Sequence, residues 1–144
     1  MNKWIAVAIL SSVSLLALPG CKKQVPTDIV QKSLTSSLRH APATASAMCG
    51  ATTRGLASST ITVTKRGEKN SGIAHVKGSP WPGKGLPSTC EGDVEFAYTY
   101  ETKKIGRSSR TTWFLDHLKL TAVQTKGVTF KSVEEKVADD DDDN

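Results

Sequence analysis

The chain has 144 residues with 19 Lys or Arg against 14 Asp or Glu, which gives a formal net charge of +5 at pH 7. This length suffices for one small domain with a modest core and excludes two. The charge is unevenly distributed, because the run Asp139–Asp143 holds five of the 14 acidic residues. The remainder is therefore basic, and basic surfaces attract anions such as phospholipid head groups, cell-wall polymers, acidic proteins and nucleic acid.

The N-terminal segment has the layout of a secretory signal: a positive start at Lys3, then an apolar run from Trp4 to Leu18. The run has 15 residues and is interrupted by serines, whereas a transmembrane helix needs about 20 predominantly apolar residues. Pro19 and Gly20 then end the helix. We therefore predict a cleaved signal peptide over residues 1–20, with a membrane helix or a plain secreted protein as the alternatives.

The residues from Leu18 to Cys21, Leu-Pro-Gly-Cys, resemble the lipobox of bacterial lipoproteins. The resemblance implies cleavage after Gly20, acylation of the Cys21 thiol by chains such as palmitate, and a lipidated tether over residues 21–27. More than one acyl chain would give a stable membrane anchor. In a Gram-negative cell, Lys22 rather than Asp after the lipidated Cys implies the outer membrane, with the protein facing the periplasm.

Cys49 and Cys90 remain once Cys21 is assigned to the lipid. An even pair in an oxidising compartment predicts a disulfide bond. A bridge across 41 positions stabilises a fold by about 4 kcal/mol in the chain-entropy description. The alternatives are two free thiols or a catalytic Cys, but neither neighbourhood supplies the base or cation that activates a thiol.

The first predicted element of the mature chain is a helix that begins after an N-cap at Thr27. Val30, Leu34 and Leu38 recur at helical spacing and form one apolar stripe. The helix must end before Pro42. Residues 41–59, rich in Ala, Ser and Thr, predict a loop with at most a short helical turn near Cys49.

The hydrophobic period then changes to two, which predicts β-strands. Turn residues separate them, including Gly106 in a hairpin turn over residues 103–107. The predicted strands cover residues 60–64, 73–77, 93–101 and 110–123, with a short last strand beginning at 128–130.

Two of these strands carry further information. In residues 93–101 the apolar side chains alternate with mostly acidic ones, so one face is predicted to be buried. The apolar residues of that face are Val94, Phe96, Tyr98 and Tyr100. In residues 110–123 the parity of the apolar positions switches around Asp116 and His117. The switch predicts a β-bulge, or a strand whose two faces are both partly covered.

One helix followed by four or five antiparallel strands predicts a single α+β domain over residues 28–137, with the helix packed on a curled sheet. The element order resembles cystatin-like domains, a resemblance without a shared motif that implies no function. Residues 138–144 are expected to form a disordered acidic tail.

Residues 78–85 nearly match a phosphate-binding loop, but Gly85 replaces the hydroxyl residue that binds magnesium. The two prolines of this stretch also lack the N–H groups that cradle phosphate. We therefore exclude nucleotide binding. The same prolines stiffen a loop that presents Trp81 and Lys84, which makes these two residues candidate partner contacts. The alternative is that Trp81 folds back to plug the open end of the sheet.

The remaining chemistry-bearing residues predict no catalytic site, metal site or cofactor. His40, His75 and His117 lie far apart in the sequence and form no metal motif. Asp116 and His117 are neighbours in a strand and point to opposite faces unless a bulge intervenes. The run Asp139–Asp143 lacks the spaced ligands of a calcium-binding EF-hand loop.

Together these features predict a non-enzymatic, membrane-anchored protein of the cell envelope that binds an envelope protein or an anionic envelope polymer, or assists assembly there. The compartment argues against nucleic acid as a partner. A carrier of a small ligand or lipid, using the concave face of the sheet, is the main alternative. A hydrolase that uses His117 with a distant nucleophile is another. The oligomeric state stays open.

Overall fold

The computed structural model describes residues 24–136, so the predicted lipobox, Cys21 and the acidic tail lie outside the described residues. Within residues 24–136 a pair of helices precedes five strands, namely α1 Thr27–Leu38, α2 Pro42–Cys49, β1 Leu56–Arg66, β2 Ser71–Pro80, β3 Cys90–Ile105, β4 Ser108–Val123 and β5 Val133–Glu135. Each strand pairs antiparallel with the next, in the order β1-β2-β3-β4-β5. The sheet is an open meander, and the predicted α+β class is confirmed.

Helix α1 forms where the helical spacing predicted it, and its apolar stripe is fully buried. Val30, Leu34 and Leu38 each have 0% of their surface exposed. The helix packs on β1, where the Gln31 side-chain amide donates a hydrogen bond of 3.0 Å to the carbonyl oxygen of Ile61. Amphipathic packing of this kind supplies most of the stability of a short helix.

Helix α2 corrects the expectation of a single helix followed by a loop over residues 41–59. Pro42 occupies its first turn, where a missing N–H group costs nothing. Gly50 ends it in the left-handed conformation with φ of 75°, which favours glycine. Ala45 and Met48 bury completely. Neither helix within residues 24–136 is long and apolar enough to cross a membrane.

The last strand also lies elsewhere than predicted. Residues 128–130 belong to the connection after β4, where the Val128 N–H donates to the carbonyl oxygen of Thr125 in a turn. Strand β5 follows at Val133–Glu135 and docks on α2. The Glu135 carboxylate accepts hydrogen bonds of 2.7 Å from the backbone N–H and 2.9 Å from the hydroxyl of buried Thr44. A carboxylate distant in sequence therefore caps the N-terminal turn of α2.

The core lies between the two helices and the inner face of the sheet. The largest fully buried side chains of the sheet come from β1 and from the three central strands. They are Leu56, Val76, Val94, Phe96, Leu118 and Leu120. The helices cover these side chains, so a packed core fills the space between the helices and the sheet.

The predicted irregularity in β4 is a β-bulge. Ala97 pairs with His117 and Tyr98 pairs with Leu115, so Asp116 is an extra residue opposite β3. An extra residue reverses the alternation of the strand at that point. The bulge therefore brings the apolar residues on both sides of it onto one face.

The predicted disulfide bond is confirmed. It joins Cys49 at the end of α2 to Cys90 at the start of β3, with a Cα–Cα distance of 5.1 Å. Both cysteines are buried. The bond thus attaches the short second helix to a central strand of the sheet.

Candidate functional site

The loop between β2 and β3 carries the predicted contact residues Trp81 and Lys84. The Trp81 indole N–H donates a hydrogen bond of 3.1 Å to the carbonyl oxygen of Arg39 at the end of α1. The guanidinium carbon of Arg54 lies 4.4 Å from the centre of the indole ring, within cation–π distance. The indole is therefore half-buried and engaged by the protein, whereas Lys84 is exposed.

His75 lies on the outer face of the sheet between two carboxylates. Its Nδ1 atom is 2.8 Å from an Asp93 oxygen, and its Nε2 atom is 2.6 Å from a Glu91 oxygen. The hydrogen bond to Asp93 raises the pKa of His75 and is the largest cause of the shift. Partial burial lowers the pKa, and the hydrogen bond to Glu91 raises it further. The geometry favours a protonated imidazolium that joins β2 to β3.

His117 is held in a similar way on the same face. Its Nε2 atom lies 3.0 Å from a Glu95 oxygen, and its Nδ1 atom lies 3.1 Å from an oxygen of Glu134 in β5. Its sequence neighbour Asp116 is not its partner in these contacts. Both ring nitrogens are therefore occupied, as they are in His75. Within residues 24–136, no group of three or more His, Cys, Asp or Glu side chains is arranged to hold a metal ion.

An open groove of about 610 Å³ lies between α2 and the connection from β4 to β5. Small residues such as Ala43, Ala47 and Gly50 form one wall, and Val128 and Val133 form part of the other. It is lined by α2 and by the chain segments that follow α2 and β4, and no residue of the central strands lines it. It is shallow and open to solvent.

The most prominent exposed feature is a two-stranded arm, residues 99–114. Strands β3 and β4 have 16 residues each, whereas β2 has 10. The pairing of β2 with β3 ends at Ser71 and Ala97. Beyond that point β3 and β4 pair with each other as far as Ile105 and Ser108. The arm therefore extends past the edge of the helices and of the remaining sheet.

The outer half of the arm is strongly basic. It contains four exposed cations, Lys103, Lys104, Arg107 and Arg110. Glu101 is the only acidic residue of the arm, and one of its oxygens lies 3.9 Å from the Lys103 ammonium. Four cations against one carboxylate leave the arm with a net charge of +3.

Aromatic side chains occupy the inner half of the arm. Tyr100 and Trp113 are cross-strand partners with ring centres 5.0 Å apart. Tyr100, Ile105 and Phe114 are 44%, 58% and 49% exposed. The expectation that Tyr100 shares the buried face is wrong, because β2 and the helices end before they reach it. Exposed aromatic residues beside cations form a typical binding surface.

Val25, next to the start of the described residues, is fixed at the base of this arm. The Val25 N–H donates a hydrogen bond of 2.9 Å to the Asn70 side-chain oxygen. The Asn70 carbonyl oxygen accepts one of 3.0 Å from the Tyr98 N–H, immediately before the arm. Arg66 donates to the Val25 carbonyl oxygen at 2.9 Å. Val25 is 1% exposed, so this point of the chain is firmly fixed.

The sequence reasoning missed both the arm and the paired carboxylates around the histidines. A signal for the arm was present, because four cations surround the predicted turn at Gly106 while the alternation continues on both sides. The signal for His75 and His117 was weaker. Their partners lie on other strands, so the pairs become visible only when the strand register is known.

Comparison with known proteins gives no relative for this chain: no protein-family model, no curated protein and no solved structure matches it.

Proposed function

We propose that this protein is a lipid-anchored component of the bacterial cell envelope, whose folded domain binds an anionic envelope partner without catalysing a reaction. The observation that carries the proposal is the arm. It places four exposed cations and two exposed aromatic side chains, Tyr100 and Phe114, beyond the end of β2. Exposed aromatic residues and arginines are enriched at binding surfaces.

The anchor follows from the lipobox resemblance. Acyl chains on Cys21 would hold the mature chain at a membrane, and Lys22 would direct it to the outer membrane of a Gram-negative cell, facing the periplasm. The Cys49–Cys90 bond supports an extracytoplasmic location, since disulfide bonds persist in oxidising compartments.

The packing of the domain argues against the two alternatives. A carrier needs a cavity, but a packed core occupies the space between the helices and the sheet. A hydrolase needs a free base, but both ring nitrogens of His75 and of His117 already contact carboxylates. The arm rather than Trp81 is the preferred contact, because the indole is held against α1. Lys84 is an exposed cation and remains a second candidate contact residue.

The test compares two variants of the lipidated protein that lose the same number of charges. The arm-neutral variant replaces the four arm cations by Gln. The control variant replaces four exposed cations outside the arm, Lys32→Gln, Lys77→Gln, Lys84→Gln and Lys126→Gln. Binding to immobilised anionic phospholipid and to an immobilised anionic glycan is measured at low and high salt.

We expect the arm-neutral variant to lose most of its binding to one of these ligands and the control to retain it. The difference should shrink at high salt, because exposed charges are screened. Equal binding by both variants would refute the arm as the contact. If only the control variant lost binding, the contact would instead involve Lys84 or another of the substituted lysines outside the arm.

A further inference from the structure

The distance between the predicted anchor and the folded domain is short. Cys21 precedes Val25 by four residues, and a fully extended chain spans at most about 3.6 Å per residue. The Cα atoms of Cys21 and Val25 can therefore be at most about 14 Å apart. Val25 is buried and hydrogen-bonded to Asn70, so a short tether would connect the domain to the predicted anchor.

The arm is longer than this tether. Seven residues separate Tyr98 at its base from Ile105 at its tip, and a strand rises about 3.3 Å per residue, which gives about 23 Å. The tether and the arm start at the same end of the sheet, joined through Asn70. An arm that points toward the membrane therefore reaches its surface without any change in the fold.

The distribution of charge suits contact by the tip. Cross-strand partners share a face, and Lys103 pairs with Arg110 on one face, while Lys104 pairs with Ser109 on the other. Cations consequently surround Ile105, which is 58% exposed. A ring of cations around an apolar tip fits head groups that approach from every side. Each cation at an anionic membrane surface favours binding by about fivefold.

Within the arm Glu101 is outnumbered by four cations, and the carboxylates that surround the histidines lie farther from the tip. The carboxylates that hold His75 and His117 include Glu91, Asp93 and Glu95 at the other end of β3. Ten residues separate Glu95 from Ile105, which corresponds to about 33 Å along the strand. Electrostatic repulsion between these carboxylates and anionic head groups at the tip is screened over this distance, since the Debye length is about 8 Å at physiological ionic strength.

We propose that the tip of the arm docks on the anionic head groups of the same membrane that holds the chain through Cys21. This inference rests on the proposed function, because it requires the lipid anchor. The contact is made by the tip alone, because Tyr100 lies five residues, or about 17 Å of strand, from Ile105.

The experiment uses the lipidated protein, purified from its native membrane and reconstituted into vesicles. One variant carries Ile105→Cys and a second carries Ser88→Cys in the exposed loop at the opposite end of β3. Each new thiol is labelled with a polarity-sensitive fluorophore. Emission and quenching by aqueous iodide are measured in phosphatidylcholine vesicles with and without phosphatidylglycerol, after mass spectrometry of the acylated chain.

We expect the probe at position 105 to shift to the blue and to be protected from iodide only when phosphatidylglycerol is present. The probe at position 88 should stay exposed in both vesicles. High salt should reverse the shift, and each of the four arm substitutions to Gln should weaken docking by about fivefold. The arm lies outside the core, so these substitutions leave the fold intact, which far-ultraviolet circular dichroism checks.

Three results would overturn the inference. If the protein is acylated but the probe at position 105 stays exposed on phosphatidylglycerol vesicles, the inference is wrong while the proposed anchor stands. Protection by an added anionic glycan instead of phosphatidylglycerol would assign the arm to a polymer. A shift of equal size in both vesicles would exclude anionic head groups as the ligand. A chain without acyl groups would refute the proposed anchor itself, and the tether argument with it.

Discussion

Removal of the Cys49–Cys90 bond is expected to destabilise the domain severely. The bond closes a loop with a sequence separation of 41 residues, which corresponds to about 4 kcal/mol of unfolding free energy in the chain-entropy description. Domains of this size have total stabilities of about 5–15 kcal/mol. The double substitution Cys49→Ala and Cys90→Ala therefore removes a large share of the total.

The loss should be concentrated in α2. This helix has eight residues, fewer than the roughly 12–15 that an isolated helix needs. Its attachment depends on burial of Met48, on the Glu135 carboxylate and on the disulfide bond. Without the bond, α2 should detach more often than the central strands open.

Urea unfolding followed by circular dichroism measures the change in free energy, and amide hydrogen exchange measures local opening. We expect a loss of about 4 kcal/mol and faster exchange in α2 than in β2 and β3. The reduced wild-type protein is the control and should resemble the double variant. A loss under about 1 kcal/mol, or unchanged exchange in α2, would refute the reasoning.

Two further predictions concern individual carboxylate contacts. Glu135→Ala removes the acceptor for the N–H and the hydroxyl of buried Thr44, and it should lower the free energy of unfolding in urea by about 1–2 kcal/mol. Glu135→Gln should have a stability between those of Glu135→Ala and the wild type. Identical stability of all three proteins would contradict the contact. His75 has a raised pKa in the folded state, first because of Asp93 and then because of Glu91, so its stabilising effect is complete below the unfolded pKa of about 6.5 and is lost as pH rises through the folded value. The stability difference between the wild type and His75→Gln should accordingly shrink as the pH rises above about 6.5 and through the folded-state pKa, and a difference that does not change with pH would exclude the ion pairs.

Local periodicity was sufficient to predict the elements that bury one continuous face. The stripe of α1 and the alternation around Phe96 in β3 both appear in the structure. The bulge at Asp116 was also predictable, because a change of parity within one strand has few other causes. In each case neighbours in sequence share the same environment.

Elements held by distant contacts could not be predicted in this way. Helix α2 has small residues and no clear stripe, and it forms because Cys49, Pro42 and Glu135 fix its ends. Strand β5 is three residues long, too short for any periodicity to show. Both elements depend on where the chain returns in three dimensions.

The same limit applies to the candidate site. The sequence shows the cations around Gly106, but it does not show that β2 ends opposite Ala97 and leaves the arm unsupported. It also gives no sign that Asn70 joins the start of the domain to the base of the arm. Proximity of the tether and the arm is a property of the fold alone.

The intact mass of the protein purified from its native membrane tests the central claim most directly. The account predicts a chain that begins at Cys21 and carries acyl chains, with the mass of residues 21–144 plus the lipid. A chain that retains residues 1–20, or one that begins elsewhere without lipid, would contradict the anchor, and the arm would then need a ligand unrelated to the tether.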